Sequence, residues 1–199
     1  MKMFRAVPIE QVTKAHEQVY RRSTIRLPSN IPYGVDNLWE LIRPDAMPSR
    51  RFAIYASPTP ELALANASAG HKTRDEYVAC EVIVNRDDIS VAHLVVSDAR
   101  YHPDIKMFSR LVSKYADDLS PTSLNEQMRQ KAGLLWMPGA FPNEIYNLLD
   151  IPVIRKLVAE FKEASTFWQD ASNAPCSSDG EMFFELRHPT SFYTLRPLL

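Results

Sequence analysis

Arg51-Phe52-Ala53-Ile54-Tyr55-Ala56-Ser57-Pro58-Thr59-Pro60-Glu61-Leu62-Ala63-Leu64-Ala65-Asn66-Ala67-Ser68-Ala69-Gly70 is the stretch on which the fold reading turns. Phe52 to Tyr55 is a short apolar and aromatic run of strand type. Pro58 and Pro60 then break the extended chain, because proline cannot donate to a sheet ladder. From Pro60 the composition changes to helix formers, with Leu62, Leu64, Ala65 and Ala67 on the apolar side and Gly70 as the stop. Thr59 stands at the N-cap, Pro60 at the first helical position, and Glu61 at the positive end of the helix dipole. Strand, tight turn and helix follow one another, so Tyr55, Ser57 and Thr59 gather beside a helix N-terminus. Backbone donors and a partial positive charge there favour an anion or a nucleotide. A plain strand-to-helix junction, capped by Ser and Thr, accounts for the same residues without any ligand.

A length of 199 residues fits one domain, here with a helical insertion over about residues 103–170. The net charge of −1 gives no nucleic-acid footprint, which would show as a basic domain or stripe. Cys80 and Cys176 are the only cysteines and make neither a disulfide framework nor a zinc site. Met1-Lys2-Met3-Phe4-Arg5 lacks the apolar core of a secretory signal, and no run approaches a membrane span. The expected location is the cytoplasm, or a target cell reached by a route that needs no signal peptide. Fifteen prolines against five glycines argue against a phosphate loop built on glycine.

Met3 to Val7 reads as a strand with Arg5 among apolar neighbours, and Pro8 opens a helix. Asp36 caps a short helix through Trp39 to Arg43, which Pro44 ends. Glu76 to Val84 alternates as a strand, and Val91 to Val96 reads as another. Asp104 to Ala116, Ser123 to Ala132, Asn143 to Leu149 and Val153 to Trp168 carry helical periodicity. Ala171 to Gly180 is a loop. Met182 to Leu186 and Ser191 to Leu195 form a strand pair across Arg187-His188-Pro189-Thr190. Strands near both ends with helices between them predict an α+β domain.

Three elements carry possible chemistry in chain order. They are an early strand arginine (Arg5, or else Arg21 or Arg22), the turn Tyr55-Ala56-Ser57, and Asp179-Gly180-Glu181 leading into the late strand. That order resembles the ADP-ribosyltransferase superfamily of the Arg-Ser-Glu type, which includes bacterial toxins and effectors. The resemblance places Ser57-Pro58-Thr59 at the serine motif and Asp179-Gly180-Glu181 at the carboxylate-x-Glu motif. It implies a split, mixed or antiparallel β-sheet core, with Glu181 to Leu195 as the closing hairpin, and NAD as the substrate.

Cleaving the nicotinamide–ribose bond develops positive charge on the ribose, as in glycoside cleavage. The resemblance gives Glu181 the stabilisation of that charge, and gives Arg5 the NAD diphosphate through its planar fork. It gives Ser57, beside Thr59, a positioning role and Tyr55 a stacking one. Asp179 takes the acceptor side, where the family has Glu or Gln, and the acceptor is expected to be a protein.

More ordinary roles compete for these residues. Glu181 reads equally as a polar residue at a strand start. Phe183, Phe184, Phe192 and Tyr193 read as core. Arg50-Arg51 and Arg21-Arg22 read as surface pairs. His16, His71, His93, His102 and His188 lack metal-ligand spacing. A second resemblance, to RES-type toxin domains that consume NAD, keeps Ser57 and moves the acidic role to Glu40 in Asn37-Leu38-Trp39-Glu40-Leu41, without the Gly-Arg-Trp-Asn-like signature of that family. A non-enzymatic module, docking through the helical insertion, stands as the reading from another class.

Overall fold

A computed structural model describes residues 2–21, 25–28, 30–67, 74–120, 122–140, 142–173 and 179–198, and among these residues it has six short strands and eight α-helices joined by turns and short 3-10 segments. The strands are β1 (Phe4–Pro8), β2 (Ile54–Ala56), β3 (Tyr77–Val84), β4 (Ile89–His93), β5 (Met182–Leu186) and β6 (Tyr193–Pro197). The helices are α1 (Val12–Glu17), α2 (Tyr33–Leu41), α3 (Pro60–Ala67), α4 (Pro103–Lys114), α5 (Glu126–Gly133), α6 (Pro142–Tyr146), α7 (Pro152–Ala164) and α8 (Phe167–Asn173). The class is α+β. The chain divides into two compact units, one built from Met1–Thr24, Asp45–Asp98 and Asp170–Leu199, the other from Ile25–Pro44 and Ala99–Gln169.

The first unit holds all the strands, in two antiparallel sheets of order β1-β3-β6 and β2-β5-β4. Side chains of a strand alternate between faces, so each sheet turns every second residue inward. Met3, Val7, Cys80, Val82, Tyr193 and Leu195 from the first sheet meet Ile54, Ala56, Ile89, Met182, Phe184 and Leu186 from the second in one core. Phe4 and Ser57 exchange backbone hydrogen bonds of 2.8 Å in both directions, which ties the edge of one sheet to the edge of the other. Thr59 caps α3 as its position predicts, its Oγ1 accepting from the Leu62 amide at 3.2 Å. Helix α3 packs on β1 and β3 and buries Ala63, whereas Ala65, expected on the apolar side, is exposed.

The second unit is helical and centres on Trp39. Its indole stacks on Phe167 with ring centroids 3.9 Å apart, and its Nε1–H donates to Asp104 Oδ2 at 2.8 Å. Ser165 Oγ donates to the same carboxylate oxygen at 2.6 Å, and Trp168 Nε1–H donates to the Trp39 carbonyl at 2.8 Å. Val153, Ile154, Leu157, Val158 and Phe161 form the buried stripe of α7 that their spacing predicts. Gly34 in α2 meets the ring of Phe108 so closely that a Cβ there would lie 2.5 Å from Cζ, so any larger residue must displace that ring.

Several sequence expectations are corrected. Asp36 does not cap α2 but lies buried within its first turn, because the helix starts three residues earlier at Tyr33. The helical block is wider than residues 103–170, since α2 and the segment around it pack with it. Strand β4 runs from Ile89 to His93 rather than from Val91 to Val96, and α8 carries helix to Asn173 where a loop is predicted. Residues 182–195 do not close as a hairpin: β5 lies between β2 and β4, and β6 pairs with β3. Phe192 is exposed, since the chain turns there from one sheet to the other, while Phe183, Phe184 and Tyr193 are core as expected. Among the described residues, no helix is long and apolar enough to cross a membrane.

Asp104 supports a stability prediction. Burial, the largest influence, pushes its carboxyl up, but hydrogen bonds from His102, Ser165 and Trp39 together outweigh it and hold the group below the ordinary range. A carboxyl depressed by folding adds stability above its unfolded pKa of about 4 and loses it as pH falls through the folded value. Asp104→Ala leaves the Trp39 and Ser165 donors unsatisfied and costs about 3 kcal/mol at pH 7. Urea denaturation checks this, and the gap between wild type and variant should narrow as pH falls below about 4.

Candidate functional site

Strand β5 sets the geometry of the sequence-predicted site. Its register on β2 pairs Ile54 with Phe184, Tyr55 with Phe183 and Ala56 with Met182. The paired register ends there: Ser57 exchanges its backbone hydrogen bonds with Phe4 of β1. The Glu181 backbone is held from the β4 side, its N–H donating to the Val96 carbonyl and its carbonyl accepting from the Leu94 amide, both at 2.9 Å. Met182, Phe184 and Leu186 point into the core, so Glu181, Phe183 and Glu185 occupy the opposite face with Tyr55.

An arginine that the sequence reading assigns to the surface completes this face. Arg50 and Arg51 are both buried, at 6% and 1% exposure. The reason is a turn: the Ser49 carbonyl accepts from the Phe52 amide at 3.2 Å, and Ser49 Oγ accepts from the Arg51 amide at 3.3 Å. Glu185 Oε2 anchors that turn by accepting from the Ser49 amide at 2.7 Å. The Arg50 guanidinium then lies over Tyr55 and Phe183, 5.7 and 5.4 Å from the ring centroids, and 3.8 Å from Glu181 Oε1. Two aromatic rings, a guanidinium and a largely buried carboxylate thus share one face of the sheet.

The other predicted residues have separate surroundings. Arg5 lies on the core-facing side of β1, opposite Cys80, and its Nη1 donates to Tyr193 Oη at 2.6 Å. Tyr193 stacks on Tyr20 with centroids 4.9 Å apart. Burial pushes the Tyr193 phenol up, and the Arg5 charge opposes it. Cys80 follows the same pattern, raised by burial and pulled down by Arg5. Arg5 and Glu181 therefore stand on different sheets, with different charged or polar partners. Ser57 Oγ accepts from Asn66 Nδ2 at 3.2 Å, the Thr59 hydroxyl is the α3 cap, and Asp179 is exposed.

Arg21 is exposed and donates to the Thr190 carbonyl at 3.4 Å. Arg22, His71 and Cys176 lie outside the described residues. Glu40 belongs to the helical unit, where it is buried and pairs with Arg43 Nε at 3.1 Å. His93 and His102 are buried and His188 is exposed. Burial pushes the His93 imidazole down, which favours the neutral ring. Among the described residues, no group of three or more His, Cys, Asp or Glu could hold a metal ion.

Comparison with protein-family models, with curated proteins and with solved structures finds no match.

The sequence signal for Arg50 was present but ambiguous, because an Arg-Arg pair between a proline-rich loop and a strand reads the same whether solvated or buried. Gly180 carried a clearer one, as the residue between two acids. A Cβ on Gly180 would lie 1.8 Å from the Leu94 carbonyl oxygen and 2.7 Å from His93 Nε2.

Two substitutions test this construction. Gly180→Ala must push the Asp179–Glu181 segment off β4 and costs about 2 kcal/mol, read as a lowered denaturation midpoint. Arg50→Met removes the cation beside Glu181 and costs about 3 kcal/mol. A double-mutant cycle with Glu181→Gln should return a coupling of about 1 kcal/mol, and additive effects would show that the pair is energetically silent.

Proposed function

We propose that the protein is an ADP-ribosyltransferase-type enzyme that cleaves NAD at the nicotinamide–ribose bond and transfers ADP-ribose to a protein. The observation that carries this reading is the single face shared by Glu181, Arg50, Tyr55 and Phe183. An oxocarbenium-like ribose needs a carboxylate that is partly withdrawn from water, and the Glu181 side chain is 13% exposed. A dinucleotide needs a cation for its diphosphate and a flat surface for its ring, and Arg50 with Tyr55 offers both. Arg50 lies against Glu181, and a diphosphate that draws the guanidinium away leaves the carboxylate to face the ribose. Two small antiparallel sheets joined at Phe4 and Ser57 support the split-sheet core of the resemblance.

In this reading Arg50 takes the diphosphate role first given to Arg5, which in turn holds Tyr193 in the core. Asp179, exposed two residues before Glu181, remains the acceptor-side group.

The test is nicotinamide release from NAD by purified protein, with and without cell lysate, for wild type, Glu181→Ala and Glu40→Ala. The expected result is release that rises with lysate and falls on the order of a hundredfold in Glu181→Ala. Lysate-independent release that disappears with Glu40→Ala would assign the RES-type chemistry instead. No release, with no rise in melting temperature on adding NAD, would overturn both and leave a binding module.

A further inference from the structure

The strand-bearing unit contains a second feature that the Glu181 face does not use. A half-enclosed cavity of about 250 Å³ is lined by Met3, Val82, Val84, Arg86, Ile89 and Val91. The strand period explains the lining. Val82 belongs to the core-facing side of β3, and Val84 follows it two residues on. Ile89 and Val91 repeat the pattern on β4, where they stand opposite Leu186 and Phe184. Arg86 opens the short 3-10 turn Arg86–Asp88 that connects these two strands, so the connection itself sets a cation on the cavity.

Size and chemistry narrow the ligand. The volume exceeds the roughly 150 Å³ apolar cavity that takes up benzene, and falls short of the roughly 300 Å³ at which sites for drug-sized molecules begin. Five of the six lining residues carry apolar side chains, so an apolar ligand body finds aliphatic contacts there. Arg86 is the only charged side chain among them, and its planar fork matches a carboxylate. Asp87 and Asp88 follow it directly and repel a multiply charged anion such as a nucleotide phosphate. One negative charge on a small apolar body fits these constraints. We propose that the cavity binds a small aromatic or aliphatic monocarboxylate, with its apolar part between β3 and β4 and its carboxylate on Arg86. The site shares no residue with the Glu181 face and does not depend on the NAD reading.

The experiment uses the full chain with labelled Val and Ile methyls, titrated with benzoate and, separately, with benzyl alcohol while the methyl resonances are followed. Saturable shifts are expected at Val82, Val84, Ile89 and Val91 for both probes, with benzoate binding about tenfold more tightly because one charge-assisted contact is added. Arg86 is exposed, and the denaturation midpoint of Arg86→Ala checks that the variant keeps its fold. That variant should lose the tenfold preference for the acid and bind benzyl alcohol as before. Methyl resonances that stay fixed with both probes would overturn the proposal. So would equal affinity for acid and alcohol in the wild type, or a preference that survives in Arg86→Ala.

Discussion

The central position of β5 is the constraint on which the strand-bearing unit depends. It is hydrogen-bonded on both sides, by β2 and β4, and its alternate residues face two different environments. Met182, Phe184 and Leu186 complete the core, while Phe183 and Glu185 carry the face on which Arg50 lies. A slip of one residue would exchange these two sets and put a carboxylate into the core. The register is therefore enforced by burial on one side and by the Glu185 anchor on the other. The position of Glu181 follows from it, because the residue sits one step before the strand and is held by Leu94 and Val96.

Buried charge in this protein is handled locally. Glu81 on β3 is largely buried yet lies between Lys2 and Arg196, and the Arg196 hydrogen bond holds its carboxyl below the ordinary range. Asp104 collects the Trp39 and Ser165 donors. Glu181 has Arg50, and Glu40 has Arg43. Such pairs fix geometry more than they add stability, since desolvation offsets much of the attraction. What distinguishes the Glu181 pair is that its guanidinium also lies over two aromatic rings, Tyr55 and Phe183.

Arg5 illustrates how a plausible motif residue can be claimed by its own sheet. On β1 it faces inward, and inward on this sheet means Cys80 and Tyr193. A guanidinium in that place satisfies a buried phenol and shifts two neighbouring groups. The arginine that reaches the late acid comes instead from a turn forty-five residues further on, where Ser49 and Glu185 hold the backbone.

From residue order alone, the α+β class, most elements and the Thr59 cap were legible, because alternation, helical spacing and capping depend on neighbours a few positions away. The apolar stripe of α7 and the strand at Tyr77–Val84 are of this kind. Only the tertiary structure decided which strands meet. Two adjacent late strands that look like a hairpin separate into different sheets, since pairing depends on where the chain returns and not on local propensity. It also decided the burial of Arg50 and Arg51, the membership of α2 in the helical unit, and the partner of Arg5. A charged residue carries no local mark of whether its partner is water or a carboxylate more than a hundred residues away, and that choice is what makes Glu181 and Arg50 a candidate site.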